Sequence, residues 1–170
     1  MKRLFFVFAH LLLLAAMVLS FFAAFPRPYR DIVGESGLDG ALVYAVMKAE
    51  SNFREDSESD AGAVGIMQLL PSTAAFVCER EGISFDAARL TEGEYNVTLG
   101  CAYLGYLMEE FEEETALAAY NAGEGRVREW LKDGRYSSDG RTLFHIPYPE
   151  TARYLKKISF FRKIYGFFPY

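Results

Sequence analysis

Cysteine, histidine and tryptophan are scarce: two, two and one among 170 residues. His10 and His145 lie far apart, and Cys78 and Cys101 form no C-x-x-C pair. A protein zinc site needs three or four nitrogen and sulfur ligands at defined spacing, and this chain does not supply them. Basic residues are sparse through the body of the chain. All 23 acidic residues fall between Asp31 and Glu150, against nine Lys or Arg there, a net of −14. That balance argues against a nucleic-acid binder, which needs a basic face. Alternating apolar and polar runs of strand length are missing, as are internal repeats and low-complexity tracts, so the chain reads as mostly α. The two cysteines leave two readings open. They form a disulfide outside the membrane, or they are small apolar residues buried on packed helices.

One long hydrophobic run is present. Leu4 to Phe25 holds only two polar residues, His10 and Ser20. As a helix this run is roughly 33 Å long, enough for a bilayer core of about 30 Å. Lys2 and Arg3 precede it, so residues 1–3 are expected in the cytoplasm and 4–25 as a single-pass signal anchor. A cleaved signal peptide is the rival reading. It wants small residues at the cleavage site, where this chain has Phe21 and Phe22. Pro26 and Pro28 end the run and begin a linker, expected over 26–34. The remaining residues, 35–170, form one mostly α domain. The last 20 residues carry a net +5 and the first 30 a net +4. Either basic end could face an anionic membrane surface, although an ordinary solvated helix face is the preferred reading of the tail.

Helix signals recur through that domain. Asp39 is a good N-cap for a helix in which Leu42, Val46 and Ala49 share a face. Pro71 and Ser72 open a second helix, closed by Gly82. "YNVTLGCAYLGYLMEEFEEE" reads as a longer helix, offering Leu99, Tyr103, Tyr106 and Met108 to a core. Its five Glu between Glu109 and Glu114 read as a solvated face. "TALAAYNAGEGRVREWLK" is helical with an interruption over Asn121 to Gly125. Pro149 stands at the first turn of a final helix.

Three stretches present chemistry. Glu50 lies at the C-terminal end of an apolar helix. The helix dipole and apolar neighbours both disfavour its charge, which raises the carboxyl pKa as a general acid requires. A surface glutamate in a last turn is the bland alternative. "GAVGIMQLLP" sets two glycines before Gln68, whose amide suits sugar acetamido and hydroxyl groups. A plain glycine turn entering a helix fits as well. "AAYNAGEGRV" presents Tyr120 and Asn121 at a helix break, or else a half-buried tyrosine at an ordinary turn.

Taken together, these stretches resemble the soluble-type (SLT) lytic transglycosylases of glycoside hydrolase family 23, which share a fold with goose-type lysozymes. Four blocks match in order. They are Glu50-Ser51; Ser59, Gly62-Ala63, Gly65, Met67-Gln68 and Pro71; Ala119 to Gly123 with Gly125 and Val127; and Ile146-Pro147-Tyr148 with Glu150-Thr151 and Tyr154. The resemblance covers residues from about 40 to 156. It implies a lysozyme-like SLT domain behind a single N-terminal transmembrane helix. Glu50 matches the family's catalytic acid/base and Ser59 a serine near the reacting sugar. Gln68 and Leu70 match cleft positions, Leu70 standing where the family usually has Met. Tyr120 matches a tyrosine contacting the glutamate or substrate, with Asn121 beside it in the substrate-binding set. Glu150 matches a second acidic residue that binds glycan away from the cleaved bond. Two departures stand out: Ala152 followed by Arg153 where the family often has Arg at the first of these, and Ile66 for the commoner Leu.

The implied substrate is peptidoglycan, cut between N-acetylmuramic acid and N-acetylglucosamine with formation of a 1,6-anhydromuramic end. The implied partners are glycan strands and, through the N-terminal helix, the bacterial cell membrane, with the catalytic domain outside the cytoplasm. No cofactor, metal or nucleic acid is implied, and the sequence names no protein partner. Two alternatives remain. One is a goose-lysozyme-like muramidase, in which Asp56, Glu58 or Asp60 activates water. The other is a non-catalytic glycan-binding envelope protein.

Overall fold

A computed structural model describes residues 2–167. Among them there is no β-strand, only isolated bridges at Glu58–Val64 and Val64–Leu69. Eight α-helices follow in order: α1 Lys2–Ala24, α2 Arg30–Glu35, α3 Gly40–Glu50, α4 Pro71–Glu81, α5 Gly93–Glu110, α6 Glu113–Ala122, α7 Glu124–Leu131 and α8 Pro149–Phe167, with a 3-10 turn at Ala87–Thr91. α1 stands away from the rest, and Phe6–Ala24 within it is long and apolar enough to cross a membrane.

The domain is built around α3. Every residue from Leu42 to Met47 is buried, so this helix is sheathed on all sides, as its continuous apolar run requires. Asp39 caps it by accepting a hydrogen bond from Ala41 N at 2.9 Å. α8 packs along α3, burying Thr151, Tyr154, Leu155, Ile158 and Tyr165. α5 packs against α2, α4 and α6 and adds Val97, Leu99 and Leu104, all fully buried, to the core. The α4 boundaries agree with the sequence signals: Pro71 sits in the first turn and Gly82 closes the helix in the left-handed conformation.

Three features differ from the sequence reading. The stretch expected as a linker over 26–34 is not extended throughout. Arg30–Glu35 forms α2, and Val33 is buried against the domain, so tertiary packing overrides a proline-rich beginning. The long helix expected through Glu114 stops at Glu110, where Phe111 turns extended and is itself buried. The glutamates explain the break. Negative charge is unfavourable at the end of α5 but favourable in the first turn of α6, where Glu113 and Glu114 now lie. The interruption expected over Asn121 to Gly125 is confined to Gly123, at φ 90° and ψ 136°, a conformation only glycine adopts readily. Of the two cysteine readings, burial holds: Cys78 and Cys101 are buried free thiols, and burial pushes the Cys101 thiol up to about 12.

Candidate active site

α3 ends at Glu50 because the chain turns sharply there: Asn52 and Phe53 both take positive φ, 56° and 64°. The turn is tied down by Ser51. Its hydroxyl donates to Ile66 O at 2.8 Å and accepts from Arg54 N at 3.1 Å. The loop over residues 64–69 is thereby drawn against the end of α3. Asn96 on α5 fixes the same loop from behind. Its Oδ1 accepts from Met67 N at 2.8 Å, and its Nδ2 donates to Val64 O and Leu90 O, each at 2.9 Å. Gly65 takes φ +83° here, and a Cβ on it would lie 2.5 Å from Leu90 O and closer still to the Asn96 amide. Tyr120 adds a third tie, its hydroxyl donating to Met67 O at 2.8 Å.

Around this loop lies a cavity of about 570 Å³ lined by Glu50, Ser59, Gln68, Leu70, Tyr120, Asn121 and Glu150. Those are the seven residues singled out from the sequence, and they come from α3, the loop before α4, the end of α6 and the start of α8. Each has a definite setting. Ser59 Oγ accepts from Ala63 N at 3.0 Å. Gln68, held at φ 50°, spends its amide hydrogens on Ser57 O and Gly65 O at 3.0 and 2.9 Å. What it offers a ligand is therefore its side-chain carbonyl. Asn121 Oδ1 accepts from Thr151 Oγ1 at 2.9 Å, clamping the end of α6 to the start of α8. Leu70 is 39% exposed, an apolar surface open to a ligand. Asp60, Thr73, Tyr103 and Arg126 also line the cavity.

Glu50 is the most perturbed carboxyl of the site. Burial pushes its pKa up from 4.5 to about 7, opposed by a hydrogen bond from Tyr154 and by the charge of Lys157. The Tyr154 hydroxyl donates to Glu50 Oε1 at 2.7 Å. Lys157, one turn further along α8, caps the end of α3 by donating to Ala49 O at 2.5 Å. Burial and the charge of Glu50 hold the Tyr120 and Tyr154 phenols well above their usual value, so both remain neutral donors. The sequence reading assigned a tyrosine contact to Tyr120. In the structure Tyr120 lines the cavity but bonds the loop backbone, and Tyr154 is the tyrosine on the carboxyl. Tyr154 belongs to the fourth matched block, four residues after Glu150 and so one turn along the same face of a helix, but nothing local links it to Glu50.

This arrangement can hold one carboxyl protonated near neutral pH beside a groove rich in hydrogen-bonding groups. Comparison with known proteins gives it a family. The family model described as "Transglycosylase SLT domain" matches residues 31–143. The chain is 33% identical over 153 residues to the soluble lytic murein transglycosylase of Salmonella typhimurium, covering 85% of this chain and 24% of that protein. It is 28% identical over 160 residues to the membrane-bound lytic murein transglycosylase C of Haemophilus ducreyi, covering 80% of this chain and 44% of that one. The structure of an inactive mutant of lytic transglycosylase Slt from Pseudomonas aeruginosa superposes with a TM-score of 0.71 at 34% identity, over 84% of this chain and 24% of that chain. The chain thus spans about a quarter of the length of the Salmonella protein. A family match over most of the helical domain, together with a shared fold at this identity, establishes that the chain belongs to the SLT transglycosylase family.

Proposed function

We propose that this protein is a peptidoglycan lytic transglycosylase in which Glu50 acts first as acid and then as base. The observation that carries the reading is Glu50 itself: a carboxyl lining the cavity, pushed up to about 7 by burial and bonded by Tyr154. Such a group is protonated often enough at neutral pH to donate, and basic enough afterwards to accept.

Protonated Glu50 gives its proton to the glycosidic oxygen between N-acetylmuramic acid and N-acetylglucosamine. The bond from that oxygen to the muramic anomeric carbon breaks, and the N-acetylglucosamine leaves with a free 4-hydroxyl. The muramic N-acetyl group stabilises the cationic carbon. Glu50, now a carboxylate, takes the proton of the muramic C6 hydroxyl as that oxygen attacks the anomeric carbon. The product carries a 1,6-anhydro ring, Glu50 is reprotonated, and no water is consumed. Tethering favours this attack over bulk water, with effective molarities on the order of 10⁵ M when alignment is good. Ser59, Gln68, Asn121 and Glu150 supply hydrogen bonds along the strand, Leu70 and Tyr120 supply contact surface, and no cofactor enters.

The expected domain plan remains part of the proposal: residues 1–3 in the cytoplasm, an anchor over 4–25, a connection over 26–34, and the catalytic domain over 35–170 outside the membrane. Support comes from the length and apolarity of Phe6–Ala24 and from a relative that is named membrane-bound.

A second reading has one observation in its favour. Asp60 lines the same cavity as Glu50, and a muramidase would need such a second carboxylate to activate a water. Digestion of purified peptidoglycan in ¹⁸O-water separates the two. The transglycosylase releases anhydromuropeptides without label, and mass spectrometry should find them as the main product. Reducing ends carrying ¹⁸O as the main product would overturn the proposal in favour of the muramidase. Glu50→Gln should abolish either product.

A further inference from the structure

The exit from α1 is fastened to the domain at several points. Lys48 Nζ donates to Ala24 O at 2.6 Å. Arg27 donates to Tyr165 O at 2.6 Å. The hydroxyl of Tyr44 donates to Pro28 O at 3.1 Å. Phe25 packs its ring on Phe161 and Tyr165 of α8, with centroids 6.3 and 5.8 Å apart. The domain is therefore clasped to the foot of α1, not hung from a loose tether. The C-terminal half of α8 lies against that foot.

The outward face of that half is unusual for a water-soluble helix. Lys156, Phe160, Lys163 and Phe167 follow at steps of four, three and four, and so share one face. All four are exposed, Phe160 to 60% and Phe167 to 77%. Arg153 lies one turn before them and is exposed too. No acidic residue occurs in α8 after Glu150, although the chain from Asp31 to Glu150 is strongly acidic. Asp39 and Glu113 reach this part of α8 and are both held by Arg162, outside the stripe; Glu114 shares a cavity with Lys156. Large aromatics alternating with lysines along one exposed stripe suit a membrane interface. There the rings enter the headgroup layer while the ammonium groups meet anionic phosphates.

We propose that this stripe of α8 is a second membrane contact, seated on an anionic lipid surface beside the foot of α1. The proposal rests on the reading of α1 as a membrane span. It fixes the orientation of the enzyme. Glu150, which lines the cavity, precedes Phe160 by ten residues, about 15 Å along the helix. The groove is thus held close above the bilayer, on glycan at the membrane surface.

The test uses the full chain in vesicles, with a fluorophore on a single introduced cysteine and nitroxide-labelled lipids as quenchers. Both native thiols are buried, which favours labelling at the new site. Gly166→Cys reports on the stripe without disturbing it, since nothing lies within 4 Å of its Cβ position. Leu13→Cys reports on α1. Glu129→Cys, exposed on α7 and outside the stripe, is the comparison site. In vesicles of phosphatidylcholine and phosphatidylglycerol, the probe at 166 should be quenched by headgroup nitroxide severalfold more than the probe at 129. Lys156→Gln with Lys163→Gln should weaken seating by about fivefold per lost charge, and phosphatidylcholine alone should weaken it similarly. If the probe at 13 is quenched but 166 behaves like 129, the α8 contact is refuted and the anchor stands. If 166 is quenched equally in both lipid compositions, recognition of an anionic surface is refuted. If the probe at 13 is not quenched, the anchor reading fails, and this proposal with it.

Discussion

Replacing Glu50 by Gln should stabilise the protein at the same time as it abolishes cleavage. The folded carboxyl sits at about 7 against 4.5 in the ordinary state, chiefly because it is buried. Between those two values the folded protein holds a proton that the unfolded chain has released. Stability therefore falls as pH rises through that window and levels off above it. At about 1.4 kcal/mol per pH unit, the full penalty is about 3 kcal/mol or slightly more. Glutamine keeps the shape and an oxygen for the Tyr154 hydroxyl, 2.7 Å away, but never acquires the charge. The variant should gain little near pH 4, where the wild-type carboxyl is protonated in both states, and close to the full amount near pH 8. For a domain of this size that difference is roughly 6–12 °C in Tm. Thermal melts of both full chains in detergent micelles, run across pH, measure it. Taking the difference between the two chains cancels the titration of every other group. Coincident melting at pH 8, or an equal gap at both ends of the pH range, would refute the buried-acid account of Glu50.

Three further outcomes follow from the same contacts. Tyr154→Phe removes the hydrogen bond that holds the Glu50 pKa down; at about 1.5–3 kcal/mol for a bond to a charged group, the alkaline limb of the kcat/KM profile for muropeptide release should move up by roughly one pH unit or more, and an unmoved or lowered limb would contradict the assignment. Asn96→Ala strands Met67 N–H, Val64 O and Leu90 O inside the protein, so denaturation should show a loss of about 3 kcal/mol or more, with activity falling further as the loop loosens. Gly65→Ala drives a methyl into Leu90 O and the Asn96 amide at positive φ and should cost at least as much, whereas Gly105→Ala on α5, with open space at its Cβ, should leave the Tm unchanged or raised.

Much of the fold was legible because its signals are local. Asp39, Pro71, Gly82 and Pro149 each act on their own or an adjacent turn, and each marks a boundary that the structure also has. Boundaries decided by burial were not legible. Arg30–Glu35 follows two prolines and looks like a connection, yet Val33 finds a core position and the segment folds as helix. Phe111 ends α5 by turning inward, and nothing in "MEEFEEE" separates that from a continuous solvated face.

The site divides along the same line. Residues that touch a ligand must be displayed at helix ends and tight turns, and those places leave marks in sequence: a glycine pair, a helix break, a carboxyl closing an apolar run. The groups that tune them need only reach them through space. Tyr154 lies 104 residues from the carboxyl it holds, and Lys157, whose charge acts on Glu50, is bonded to Ala49 O, 108 residues away. Asn96 lies in the first turn of α5 and is fully buried, where it satisfies two backbone groups of the loop that carries Gln68 and one, Leu90 O, of the 3-10 turn beside it. A buried amide in an otherwise apolar helix face is the one trace such a residue leaves. It indicates that some distant backbone needs hydrogen-bond partners, but not which backbone. The groove was readable from sequence because its lining is local, while the groups that hold the Glu50 pKa down stand on α8 and reach it only once α8 lies against α3.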